Sequence, residues 1–200
     1  MVWYRGGERL MAADARRRLI DSAIELIRRR GVAGTGVADL LEHSGTARQS
    51  IYKHFPGGKT ELIEESVRTA GAWIEQMIEQ MAEALSPPEM LDAFVEYWKW
   101  VLVTSDYQSG CPIAAAAYGG SEAPGARELS SQAFRRWEQH LAEKAIAQGV
   151  PERTAQSLAT MTIAAIEGAV MMSIADHSIA PLIRTHDQLR ELLQIHLEAP

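Results

Sequence analysis

Between Asp39 and Phe55 the chain reads DLLEHSGTARQSIYKHF, a stretch whose side chains suit a polyanion that also carries readable hydrogen-bonding edges. Arg48 and Gln49 are the residues best able to make bidentate bonds to base edges, arginine to guanine and glutamine to adenine. Thr46, Ser50, Tyr52, Lys53 and His54 suit phosphate oxygens, contacts that set register and supply affinity without reading sequence. Lys59, at the start of the next expected helix, opposes that helix's dipole, so phosphate contact explains it better than helix stability. The bland alternative also stands. In so short a helix Ile51, with Tyr52 and Phe55 as further candidates, turns inward, and any one polar side chain can simply be solvated.

Positioning such groups needs a rigid pair of helices. A short helix is expected over Val37–His43, with Gly36 as N-cap and Asp39 near its positive dipole end. Gly45 permits a tight turn, and a second helix over Thr46–His54 stops at Phe55-Pro56-Gly57-Gly58. This is a helix-turn-helix whose second helix is sized for the major groove, about 12 Å wide. Before it, Leu19, Ile20, Ala23, Ile24 and Ile27 lay an apolar stripe on a helix expected over Ala13–Arg30 and ended by Gly31. Residues 1–12 are read either as an arm carrying Arg5 and Arg9 toward a minor groove or, given the second methionine at Met11, as a disordered or overlong start.

Strand patterns are nearly absent, so the expected class is all-α. Further helices are expected over 59–85, 89–104, 112–118, 127–148, 151–176 and 185–197, separated by Ser86-Pro87-Pro88, Gly119–Gly125, Gly149-Val150-Pro151 and Ile179-Ala180-Pro181. The domain reading is a helix-turn-helix domain over 1–58 and a helical ligand-binding and dimerisation domain over 59–200.

Charge supports two roles. The formal net charge is −6, yet residues 1–60 hold eleven Lys and Arg against six Asp and Glu, a net of +5, whereas the remainder carries −11. A basic head on an acidic body attracts phosphate at one end only. The apolar run Met161–Ala175 is broken by Glu167 and falls short of the ~18 residues of a membrane span, so it reads as a buried helix. No export signal is seen, and a cytoplasmic protein with no membrane partner is expected. A single cysteine, Cys111, excludes an intrachain disulfide. No hydrolase elbow, phosphate loop or zinc-protease motif occurs, so the enzyme reading is weak and no cofactor is expected. His177 and His186 straddle a loop and are the one weak pair for a metal; no metal site is expected. A helical scaffold that binds protein and no DNA would require the basic head to be coincidental.

The quoted residues resemble the tetracycline-repressor (TetR) family of regulators. Gly31, Thr35, Gly36-Val37, Gly45, Ile51-Tyr52-Lys53-His54-Phe55 and Lys59 stand where that family's pattern has its counterparts, over about Ala15–Leu62. Gly36 replaces a common Ser or Thr and Ala47 a common Ser, so one hydroxyl contact to phosphate is missing. Phe55-Pro56-Gly57-Gly58-Lys59 and the later Gly110-Cys111-Pro112-Ile113 look like the LmrA/YxaF branch of drug-responsive repressors. The resemblance implies double-stranded operator DNA as partner, with Thr35, Gly36, Thr46, Ala47, Arg48, Gln49, Ser50, Tyr52, Lys53, His54 and Lys59 near it. It also implies a small-molecule effector among the central helices, whose binding moves the helix at 59–85, and a homodimer.

Large, adaptable apolar side chains outside the head are candidates for a hydrophobic effector site: Trp73, Met77, Phe94, Trp98, Trp137, Met161 and Met171, with Cys111 beside them. Such residues also fill ordinary cores, and Cys111 reads equally as a packed residue or helix cap. Glu167 is the sharp polar exception: a buried carboxyl must find a partner or shift its pKa, and can hold a cationic or hydroxylated ligand, pair with a neighbour, or face solvent. For dimerisation, Ala155, Leu158, Ala159, Thr162, Ile166 and Ala169 form one stripe that Leu189 and Leu193 can join in a four-helix interface. The competing reading is that this stripe faces the chain's own core.

Overall fold

The computed structural model describes residues 3–120 and 123–197, with side chains from Asp14 onward. The described residues form helices α1 (Trp3–Arg30), α2 (Val37–Ser44), α3 (Arg48–His54), α4 (Gly58–Ala84), α5 (Pro87–Thr104), α6 (Pro112–Ala117), α7 (Pro124–Ile146), α8 (Glu152–Asp176) and α9 (Ala180–Leu197). No strand occurs among them. The backbone of α1 begins at Trp3 rather than Ala13, and the expectation that Arg5 and Arg9 reach a groove falls on side chains outside the described set.

Several helix starts lie upstream of expectation, for one reason. Pro87, Pro112, Pro124 and Pro181 sit in the first turns of α5, α6, α7 and α9, where a missing N–H costs nothing and the fixed φ suits the helix. Pro87, Pro124 and Pro181 had read as parts of breaks, whereas Pro112 opens its helix as expected. At α5 the start is reinforced by a capping box: the Ser86 side chain meets the Glu89 backbone, and Glu89 Oε2 accepts from Ser86 N at 2.8 Å and Oγ at 2.7 Å. The Glu89 carboxyl is accordingly held below its ordinary pKa by the Ser86 side-chain and backbone donors.

The chain divides into two compact units, Met1–Gly71 with Pro112–Ser130, and Ala72–Cys111 with Ser131–Pro200. In the first, Leu19, Ala23 and Ile27 of α1 are buried with Leu40 of α2, Ile51 of α3, Phe55, and Leu62 and Ile63 of α4. Burying each of the larger ones contributes roughly 1.5–3 kcal/mol. Ser130 is also buried, its hydroxyl donating to the carbonyls of Ile113 and Ala126 at 2.9 and 3.0 Å.

In the second unit α8 is the central element. By length and composition alone it is apolar enough to cross a bilayer. Here Ala155, Leu158, Ala159, Ile166, Ala169 and Val170 are buried, together with Leu182, Leu189 and Leu193 of α9. α5 and α9 are cross-linked by Asp92, which accepts from His186 Nε2 at 2.7 Å and from Arg190. Burial alone would raise the Asp92 pKa, but the Arg190 and His186 contacts outweigh it and hold the carboxyl below its ordinary value.

Candidate DNA-reading surface and apolar cavity

The turn between α2 and α3 is built on Gly45, whose φ of 62° is the left-handed value an α-helical C-cap takes and a side chain resists. Its N–H and that of Thr46 close onto Glu42 and Leu41 carbonyls at 3.4 and 3.3 Å. α3 starts two residues later than expected, at Arg48. Ala47 is its N-cap, in extended backbone, and Thr46 lies in the turn, its hydroxyl 2.8 Å from that of Ser44. Neither Thr46 nor Ala47 is a helical residue, as expected of the second helix. On α3 itself Arg48, Gln49, Tyr52 and Lys53 are exposed, Ser50 and His54 are half-buried, and Ile51 is buried. The anchor Phe55 is buried too, with the Arg16 guanidinium 5.4 Å from its ring centroid. Arg48, Gln49, Tyr52 and Lys53 thus share one outward face, with positions one and four residues apart.

Tyr52 is outward rather than packed in, and its ring rests on Gly58. A Cβ built on Gly58 would stand 3.4 Å from Tyr52 Cε1, and the φ of 69° there is itself a glycine conformation. The paired glycines therefore let α4 begin beside the recognition helix. Burial is the main cause that lowers the His54 pKa, with Lys53 and Arg16 adding repulsion, so its ring is less readily protonated than an ordinary histidine. Thr35 does not face outward toward a phosphate. It is fully buried, donating its hydroxyl to Gly31 O at 2.8 Å, and so closes the end of α1 instead of facing a phosphate. Gly36 is the N-cap of α2, half-buried, and Lys59 is half-buried in the first turn of α4.

The second unit holds a partly open apolar cavity of about 70 Å³. Ile78 and Met81 of α4, Met90, Leu91 and Phe94 of α5, Trp137, Leu141 and Lys144 of α7, and a stripe of α8 line it. Of the candidate effector contacts, Phe94, Trp137 and Glu167 are in the wall. The others are elsewhere. Trp98 is buried against Phe94, edge on, at 6.3 Å between ring centres, and Met77 is half-buried. Trp73, Met161 and Met171 are 51%, 42% and 67% exposed, outside the cavity wall. Large size gave no guide to direction for these three. Cys111 is buried and hydrogen-bonds the Glu167 carboxyl, whose pKa is pushed up to about 7 by burial, the thiol contact opposing.

The wall includes residues expected at a dimer interface. Ala155, Leu158, Ala159, Thr162 and Ile166 of α8 and Leu193 of α9 line the cavity, and Ala169 and Leu189 are buried in the chain's own core. The physical reason is packing: small side chains on α8 let Trp137 and the other helices approach. The opposite face of α8 is the free one. Met161, Ala165 and Met172 line an open groove with Leu192 and Ile195 of α9, and a Cβ on Gly168 would meet nothing within 4 Å.

His177 and His186 do not converge on a metal. His177 caps α8 with φ 49° and pairs with Asp106 at 3.2 Å, while His186 is held by Asp92. Metal-type donors come together instead at Glu75, Glu79 and His140, a group no local motif announces, since its members lie on α4 and α7. Arg136 already neutralises Glu75 at 2.7 Å, and His140 lies 3.5 and 3.3 Å from the two carboxylates, so ionic cross-linking accounts for the geometry.

Known proteins share both halves. Residues 19–66 match the profile of bacterial regulatory proteins of the tetR family, and residues 87–188 that of the LmrA/YxaF-like transcriptional regulator C-terminal domain. An uncharacterised HTH-type transcriptional regulator of Mycobacterium tuberculosis is 35% identical over 91% of this chain and 95% of its own. The HTH-type transcriptional regulator LmrA of Bacillus subtilis is 29% identical, over 90% and 97%. In fold, a TetR-family regulator from Agrobacterium tumefaciens superposes with a TM-score of 0.80 at 24% identity, covering 90% of this chain and 98% of that one. An outward recognition face on a glycine-turned helix pair, in a chain matched along nine-tenths of its length, is thus a DNA-binding regulator rather than an enzyme: the protein belongs to the TetR family of transcriptional regulators, in the group with an LmrA/YxaF-like C-terminal domain.

Proposed function

We propose that this regulator is a cytoplasmic repressor that grips a palindromic operator as a homodimer and is released by a hydrophobic small molecule. The observation that carries the reading is the cavity whose wall includes Ile78 and Met81 of α4, the helix that begins directly after the recognition helix. A void of about 70 Å³ is half the size of one that admits benzene, about 150 Å³, so an effector must spread the walls. It therefore favours a different conformer from this one, which is the requirement for coupling. Arg48 and Gln49 read base edges, and Ser50, Tyr52, Lys53, His54 and Lys59 approach phosphates.

One recognition helix covers too few bases to find a single site, so two heads about 34 Å apart on a palindrome are the expected arrangement. The surface suited to join them is the outer stripe Met161, Ala165, Gly168, Met172, spaced four, three and four residues like the seam of a coiled coil. Footprinting the DNA upstream of its gene should reveal an inverted repeat. A compound that binds the cavity must lose affinity when operator is present by the same factor by which it weakens operator binding. Equal affinity with and without operator would remove the effector role.

A further inference from the structure

The cavity holds one carboxyl and no strong partner for it. Glu167 of α8 is half-buried in the cavity wall, and its carboxyl hydrogen-bonds the Cys111 thiol, a weak donor. Around it the wall is aromatic and thioether in character, with Phe94, Trp137, Met81 and Met90. Lys144 of α7 is the basic group of the wall, and its ammonium donates to the Ala82 carbonyl at 2.6 Å, at the C-terminal end of α4, where a cation is already stabilised. α4, α5 and α9 add only apolar side chains to the lining, and α8 adds the neutral hydroxyl of Thr162. Two demands of this site are unmet, an acceptor for the buried Trp137 Nε1–H and a countercharge for Glu167, and the second lies among aromatic faces and polarisable sulfur, surfaces that attract a weakly hydrated cation.

On the reading that this cavity is the effector site, we infer that its effector is a lipophilic cation, such as an aryl or alkyl ammonium compound, whose positive centre pairs with Glu167. Burial pushes the carboxyl pKa up to about 7, so below that pH a permanent cation must displace a proton to bind. The reaction is balanced: the ammonium enters, and the carboxyl proton leaves to solvent. Affinity therefore rises with pH and levels off once the carboxyl is ionised without help, the reverse of what a group gaining a proton would give.

The test pairs phenyltrimethylammonium with its neutral isostere tert-butylbenzene, same shape and one charge apart, followed by calorimetry and by the fluorescence of Trp137. The inference requires the cation to bind more tightly than the isostere at pH 8, to weaken about tenfold from pH 8 to pH 6, and to release a proton at pH 6. Glu167→Gln should abolish that slope and bring the two compounds close together. The wild-type pH profile carries the test even without the variant. If tert-butylbenzene binds as well as the cation, or cation affinity is flat in pH, the cationic class is wrong while the effector site stands. If neither compound binds, both readings fall.

Discussion

The recognition helix and α8 sort their side chains by different rules. On α3 polarity and burial agree: Arg48, Gln49, Tyr52 and Lys53 face out and Ile51 faces in. On α8 both faces are apolar. Alanines with Leu158 and Ile166 are buried, while Met161, Met171 and Met172 are exposed. A half-polar helix announces its orientation, whereas a helix with two apolar faces announces only that it needs two partners. The unbranched thioethers Met161, Met171 and Met172 mark the outer face of α8, whereas small and branched residues mix on the inner one.

The sharpest way to break this contrast is to place the same charge on each face of α8. Ala169→Arg, at a position 2% exposed, should prevent folding, with a loss above about 4 kcal/mol from overpacking and an unpaired buried charge. Ala165→Arg, on the outer stripe, should leave a folded chain that sediments as a monomer and binds operator without cooperativity. Equal outcomes for the two would erase the distinction between faces.

A smaller effect probes the one carboxyl on the inner side. The Glu167 carboxyl titrates at 4.5 when unfolded and at about 7 when folded, so folding takes up a proton between those values. Stability is then highest at the acid end of that window, falls as pH rises through it, and is lower by about 3 kcal/mol above pH 7. Glu167→Gln should flatten this part of the profile in urea titrations at pH 5 and pH 8. A variant whose stability keeps the same slope would assign it to other groups.

The smallest effect tests the outward face of α3. Arg48→Ala should cost about 1–3 kcal/mol on the true operator and little on random duplex, narrowing the specificity ratio. Lys53→Ala should weaken every duplex to a similar degree and reduce the salt slope by about one. Competition titrations at two salt concentrations separate these, and a fixed specificity ratio in Arg48→Ala would end its base-reading role.

How far the sequence was readable follows the same division. The glycine turn at Gly45, the buried Ile51 and the outward Arg48 and Gln49 are local consequences of spacing and conformation, and each was legible. Thr35 was misplaced because a hydroxyl closing a helix end and a hydroxyl facing phosphate look alike in one dimension. The cavity wall was only partly legible. Phe94, Trp137 and Glu167 stood out by size or charge, but Ile78, Leu141 and Ile163 join them only through packing between distant helices. Pro87, Pro124 and Pro181 misled for a different reason, since a proline before a helix and one inside its first turn carry the same letter.

The void in the second unit bears on how this protein responds to compression. Empty space that vanishes on unfolding lowers the volume of the unfolded chain, and about 70 Å³ per molecule corresponds to roughly 40 mL/mol, inside the usual range for whole domains. Hydrostatic pressure therefore disfavours the folded form of the unit that holds the cavity, and a molecule that occupies the space opposes that effect.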